Sequence, residues 1–221
     1  LIDLAAGDAT RRWDADLVVA ADGIDSPTRE VVAKGAPTVD AGVVAFRATI
    51  PAHRAPERDS DAVEIYGPDR RRFGYGDLGQ AGACWWATVP GGMRPESPQI
   101  QHELINDWPE PVGRFIAATR PSELTQQPVR YVWPLPSRLH YAEGGHGVVL
   151  LGDAAHGVAP VLAHGASLAL EDAVTLGWAL RHNPESIPEA LHAYERARTA
   201  RVRRVARLSR RAHLIASGGP G

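Results

Sequence analysis

Gly147-Val148-Val149-Leu150-Leu151-Gly152-Asp153-Ala154-Ala155-His156 is the stretch on which the fold turns. It opens with a continuous apolar run of the kind found in strands buried on both faces of a parallel sheet. Gly152-Asp153 stops the run, and a loop follows through Pro160. Ala169, Ala173, Leu176 and Leu180 then recur at helical spacing, which predicts a helix from Gly165 to Arg181 with those four on its buried face. Strand, small-residue turn, loop and helix follow one another as in open α/β sheets, where ligands bind at the carboxyl ends of strands. Asp153 falls at such an end and can accept hydrogen bonds from a ligand hydroxyl. Gly152, Ala154 and Ala155 let a ligand approach the backbone. The helix start near Gly165 adds free N–H groups and partial positive charge. On this string alone, a plain βα turn with Asp153 as helix N-cap is an equally open reading.

Outward from this stretch, Asp16-Leu17-Val18-Val19-Ala20-Ala21 reads as a second buried strand, ended by Asp22-Gly23. Before it, Leu1 to Leu4, Gly7-Asp8 and Arg11 to Trp13 predict strand, turn and strand. The texture then changes. Val43 to Ile50, Ala62 to Tyr66, Arg71 to Tyr75, Ala83 to Val89 and Val129 to Trp133 are strand-like and separated by Gly, Pro and Asp, which predicts antiparallel hairpins. Pro98 to Thr119 reads as helix interrupted by Pro109 and Pro111. After the Gly165 helix, Asn183-Pro184 forms a break. Pro188 opens a last helix with Leu191, Tyr194, Val202, Val205 and Leu208 as its buried stripe. Gly218-Gly219-Pro220-Gly221 reads as a tail. The expected division is α/β over 1–42, β-rich over 43–135, and α/β with C-terminal helices over 136–221.

Composition narrows the function. With 44% apolar and 23% charged residues, the 221-residue chain has the make-up of a soluble globular protein. A net charge of −2 argues against a nucleic-acid partner. The apolar runs are too short for a membrane span. Cys84 is the single cysteine, so no intrachain disulfide forms and a cytoplasmic location is expected. Lys34 is the only lysine, an arginine bias that reads as coding composition rather than mechanism.

Two strings together carry a resemblance. Asp16-Leu17-Val18-Val19-Ala20-Ala21-Asp22-Gly23-Ile24-Asp25-Ser26-Pro27-Thr28-Arg29 is similar to the DG motif of class A flavoprotein monooxygenases, the family of para-hydroxybenzoate hydroxylase, salicylate hydroxylase and zeaxanthin epoxidase. Val148 to Leu180, with Gly152-Asp153, Pro160, Gly165 and Glu171-Asp172-Ala173, resembles the same family's GD motif. Their order, with a β-rich segment between, is more specific than either string. The resemblance implies a doubly wound, Rossmann-like FAD domain with an inserted antiparallel substrate sheet. It implies FAD as cofactor, NAD(P)H as reductant, and O2 with a small, often aromatic, molecule as substrates.

By the same resemblance, Asp153, after Gly152, holds the ribityl and ribose region of FAD. Pro160 passes the flavin ring. The amides from Ala163 through His164 and Gly165 to Ala166 face the pyrimidine edge. Asp22, Gly23 and Arg29 serve FAD and NAD(P)H; Arg29 also reads as a surface residue of the following helix. No side chain is called catalytic, because the cofactor carries the chemistry, and no metal is expected. The family's Gly-Gln-Gly is replaced here by Ala163-His164-Gly165, and Ser167 stands where it has Asn or Cys. Ala163 restricts a backbone that glycine leaves free.

The family also uses a Gly-x-Gly-x-x-Gly turn to cradle the FAD pyrophosphate, and none precedes Asp22. The sequence therefore reads as a C-terminal portion. A non-catalytic fragment, or one half of a split flavoenzyme completed by an N-terminal partner, is the alternative. Cys84-Trp85-Trp86 reads either as substrate-cavity lining or as sheet core. His140, His146 and His156 lack metal-ligand spacing. The arginines from Arg196 to Arg211 read as a solvated or docking face of the last helix.

Overall fold

The computed structural model describes residues 2–6, 9–57, 61–67, 70–91 and 108–217. The chain divides into two compact units. The first takes the chain up to Val39 and from Arg130 to His213; the second takes Asp40–Val129, with the helix end from Leu214.

In the first unit, β1 (Ile2–Ala6) and β2 (Ala9–Trp13) pair antiparallel as the predicted hairpin. β3 (Leu17–Ala20) runs parallel to β10 (His146–Leu150), with Leu17 opposite Gly147 and Ala20 opposite Leu150. β9 (His140–Glu143) pairs antiparallel with the other edge of β10. The expected burial of β3 is only partly met. Ala20 is buried, but Val19 is 46% exposed, because among the described residues β3 is an edge of its sheet.

Helices cover this sheet. α1 (Pro27–Val32) follows β3, and its N-cap Ser26 accepts a hydrogen bond from the Arg29 N–H. α3 (Asp153–His156) follows β10, and α4 (Gly165–His182) and α5 (Ile187–Ser217) complete the unit. Val149, Leu150, Leu176, Ala179, Leu191 and Tyr194 share one apolar cluster. The Tyr194 hydroxyl donates to the Leu150 carbonyl at 3.0 Å, so its polar tip is satisfied inside the core.

Two predicted helix faces need correction. On α4 the buried residues are Leu168, Asp172, Leu176 and Ala179, and Ala173 is exposed. The face is turned because Asp172, a carboxylate, occupies an interior position and takes its partners there. On α5, Leu208 is 46% exposed, while Arg198, Ser209 and His213 are buried beside Leu191, Tyr194, Val202 and Val205. Polar residues again hold places that an apolar stripe would assign elsewhere. The Gly218–Gly221 tail lies outside the described residues, as do the Gly7-Asp8 turn and the 98–107 part of the predicted helix.

The second unit is a five-stranded sheet ordered β5 (Ala62–Tyr66), β6 (Arg72–Asp77), β7 (Gly82–Pro90), β4 (Thr38–Pro51), β8 (Thr125–Val132). The β5–β6, β6–β7 and β7–β4 pairs are antiparallel. One face is apolar: Phe46, Ile50, Phe73, Tyr75 and Trp85 pack with Phe115 and Ile116 of α2 (Val112–Ala117). Phe73 stacks on Trp85 at 5.4 Å and Tyr75 on Phe115 at 4.7 Å. Each such ring contributes about 1.5–3 kcal/mol by burial. The molecule is thus α/β with an antiparallel sheet and C-terminal helices. No helix among the described residues is long and apolar enough to cross a membrane.

Candidate functional site

The parallel register brings the two motif turns side by side. The Leu151 N–H donates to the Ala20 carbonyl at 2.9 Å, so Asp22-Gly23 and Gly152-Asp153 leave adjacent strand ends. Gly23 turns with φ of 82°, and its carbonyl accepts from the Ser26 N–H at 3.2 Å. The Asp22 carboxylate accepts from the Thr28 hydroxyl at 2.8 Å. Burial works to raise its pKa, but hydrogen bonds from Ser26 and Thr28 outweigh that and hold it below its ordinary value.

Arg29 is a buried residue, 4% exposed, and not a surface one. Its Nε donates to the Ala36 carbonyl at 3.2 Å and its Nη2 to that of Ile24 at 2.6 Å. Its Nη1 donates to the carbonyls of Asp153 at 3.3 Å and Ala154 at 3.1 Å. Arg29 therefore joins the Asp22 turn to the Asp153 turn through the backbone. Only a guanidinium offers enough planar donors for four carbonyls at once.

At the second turn Gly152 has φ of 57°, and a methyl group on it would meet the Ala169 Cβ at 3.1 Å. Glycine is required twice over, by conformation and by close packing on α4. Gly152 is the N-cap of α3, and Asp153 occupies the first helical position without a side-chain capping bond. The Asp153 residue is exposed, and its carboxylate makes no hydrogen bond among the described residues. A methyl group on Gly165 would lie 3.9 Å from the Asp153 Oδ1. The carboxylate thus stands at the end of β10 beside the N-terminus of α4.

Pro160 is exposed and opens a short 3-10 turn, Pro160–Leu162, closed by Ala163 in left-handed conformation (φ 53°, ψ 27°). His164 is exposed, with its Nδ1 against the Leu162 carbonyl. It caps α4 without a side-chain bond, so the first-turn amides around Gly165 and Ala166 have no cap to satisfy them.

Behind the turn lies a charged network that the sequence reading did not resolve. The Asp172 Oδ2 accepts from the Gly152 N–H at 2.9 Å and from His156 Nε2 at 2.6 Å, and its Oδ1 from Arg198 Nε at 2.6 Å. Glu171 accepts from Arg198 at 2.7 Å and from Arg201 Nε at 2.6 Å. Asp172 and His156 are fully buried. Burial works to raise the Asp172 pKa, yet the bonds from His156, Gly152 and Arg198 hold it below its ordinary value. His156 Nδ1 is buried without a partner among the described residues, which costs about 1–3 kcal/mol. The available signal was a charged pair, Glu171-Asp172, set between Leu168 and Leu176 on an apolar face.

In the sheet unit, Cys84-Trp85-Trp86 takes part in both core and cavity. Trp85 is core, its Nε1 donating to the Thr119 hydroxyl at 2.8 Å. Trp86 and Cys84 line a cavity of about 480 Å³ with Arg47, Thr49, Glu123 and Thr125. Trp86 lies across Gly74, where a methyl group would come within 2.2 Å of its ring. Gly74, Gly76 and Gly79 spell Gly-x-Gly-x-x-Gly. They sit on β6 and a 3-10 turn of an antiparallel sheet. This is not the strand–turn–helix that cradles a pyrophosphate.

A parallel strand pair whose end turns lie side by side, with an exposed carboxylate beside a helix start, is the kind of place where open α/β sheets bind ligands. The FAD binding domain family matches residues 2–209, and the chain belongs to it; its cofactor is FAD. The chain is 37% identical over 204 residues to 3-amino-4-hydroxybenzoate 2-monooxygenase of Streptomyces cremeus, covering 90% of this chain and 49% of that one. It is 27% identical over 221 residues to the chloroplastic zeaxanthin epoxidase of Oryza sativa subsp. japonica, covering 94% and 33%. HpxO of Klebsiella pneumoniae, solved with FAD and uric acid, superposes with a TM-score of 0.80 at 28% identity, covering 95% and 53%. The chain spans about half the length, or less, of these relatives.

Proposed function

We propose that this chain works in an FAD-dependent monooxygenase that uses NAD(P)H and O2 to hydroxylate or epoxidise a small, aromatic substrate. The observation that carries the reading is the Asp153 carboxylate, exposed at the end of β10 and without a partner among the described residues, 3.9 Å from where a side chain on Gly165 would begin. The surrounding residues fit FAD. Gly152, Ala154 and Ala155 are small, and the Gly165 end of an 18-residue helix is uncapped.

In this reading Asp153 accepts hydrogen bonds from FAD ribityl and ribose hydroxyls. The amides from Ala163 to Ala166 face the pyrimidine edge and favour the negative charge gained on reduction. Pro160 lines the ring. Asp22 and Gly23 serve FAD and NAD(P)H, and Arg29 acts by fixing the two turns. When bound and reduced, FAD activates O2, so that one oxygen atom enters the substrate and the other leaves as water. We assign the Trp86 face, with its aromatic surface and Arg47, to the small-molecule substrate. A cytoplasmic location belongs to the same reading and rests on the lone Cys84.

The test is oxygen-isotope labelling. The FAD-loaded protein is supplied with NADH or NADPH, labelled O2 and a panel of phenols and aromatic acids. The reading requires NAD(P)H oxidation stimulated by a panel member and one labelled oxygen in its product. Label entering from water instead of O2 would refute monooxygenation.

A further inference from the structure

Gly152 and His156 bracket the short segment that carries Asp153, and a single atom, Asp172 Oδ2, holds both. It accepts the Gly152 N–H at 2.9 Å and His156 Nε2 at 2.6 Å. The other oxygen, Oδ1, accepts Arg198 Nε from α5 at 2.6 Å. Arg29 Nη1 takes the Asp153 and Ala154 carbonyls. The backbone around Asp153 is therefore held by two side chains, while its carboxylate makes no hydrogen bond among the described residues. Asp172 is fully buried and does not reach a ligand itself.

We propose that Asp172 is a positioning residue for FAD: it sets the geometry in which Asp153 meets the cofactor, with Arg198 locking it in place. The proposal rests on the FAD reading of Asp153 given above. Its chemistry is specific to a carboxylate. Three donors converge on the two oxygens, and an amide in their place turns one acceptor into a donor, orphaning a buried N–H. Either the turn loses the single atom that fixes both its ends, or Arg198 loses its hold on the residue that supplies it. A small misplacement is costly where a ligand is held by charge-assisted hydrogen bonds.

A purely structural network would predict something else: loss of stability unrelated to Asp153. A double-mutant cycle on FAD affinity, read by flavin fluorescence quenching, separates the two. Asp153→Ala should weaken FAD by about tenfold or more, and Asp172→Asn by about tenfold. The double variant should bind no more than about threefold more weakly than Asp153→Ala alone, because the misdirected carboxylate is already gone. Multiplying losses in the double variant would overturn the proposal and leave the FAD reading of Asp153 intact. An Asp153→Ala protein with unchanged affinity would overturn both. If Asp172→Asn does not yield folded protein, Arg198→Lys takes its place under the same criterion, since it keeps the charge but loses the guanidinium fork. As a second readout, saturated Asp172→Asn should show a shifted flavin absorption band that Arg201→Ala, at an exposed position, does not.

Discussion

Arg29 and Asp153 meet through the backbone: Nη1 of the arginine donates to the aspartate carbonyl at 3.3 Å and to the next carbonyl at 3.1 Å. The contact joins the turns that end two parallel strands, and it explains why an arginine follows the Asp22-Gly23 turn by a few residues.

Removing Arg29 should therefore act on stability first. Arg29→Ala leaves four carbonyls without this donor, and the expected loss is about 3 kcal/mol by urea denaturation. A variant within about 0.5 kcal/mol of the parent would show that the guanidinium contributes little.

Ala163 sits at φ 53° and ψ 27°, a conformation that disfavours residues with a Cβ. The left-handed penalty of about 1–2 kcal/mol is partly offset by the lower unfolded-state entropy of alanine, worth about 0.4–1 kcal/mol. Ala163→Gly should then stabilise the protein by roughly 0.5–1 kcal/mol. A lower melting temperature would contradict this.

The charged network should fail in acid. Arg201 and then Arg198 hold Glu171 down at about 2, from an ordinary value of 4.5, against the opposing effect of burial. Asp172 is lowered as well. A depressed carboxylate contributes stability that is complete above its unfolded value and is lost as pH falls through its folded value. Stability should thus decline from pH 4.5 toward about 2. In Arg201→Ala that decline should be shallower, and an unchanged slope would remove the ion pair as its cause.

Gly74→Ala places a methyl group within 2.2 Å of the Trp86 ring. The ring must leave the β6–β7 surface, at an expected cost of about 1–3 kcal/mol with a change in tryptophan fluorescence. An unchanged spectrum and stability would mean that Trp86 does not lie across this glycine.

Much of this architecture was legible in local pattern. Val148 to Leu151 and Leu17 to Ala20 are apolar enough to read as strands, and Gly and Pro punctuate the hairpins from Val43 to Val89. The strand at His140–Glu143 was not legible, being short and half polar. Helix faces were misread where polar residues go inside. Asp172 and Arg198 are buried only because they satisfy one another, and a pairing between helices has no signature in the periodicity of either. The burial of Arg29 was hidden for the same reason, since its partners are carbonyls that any sequence supplies. The place of Asp153 at the end of β10 was legible because it depends on one strand and the turn that follows it.

The most direct test of the account is an FAD titration of the Asp153→Ala protein against the parent. Losing one charge-assisted hydrogen bond costs about 1.5–3 kcal/mol, so the dissociation constant for FAD should rise by about ten- to a hundredfold while the apo-protein melts as before. An unchanged dissociation constant would show that the open carboxylate at the end of β10 does not hold the cofactor.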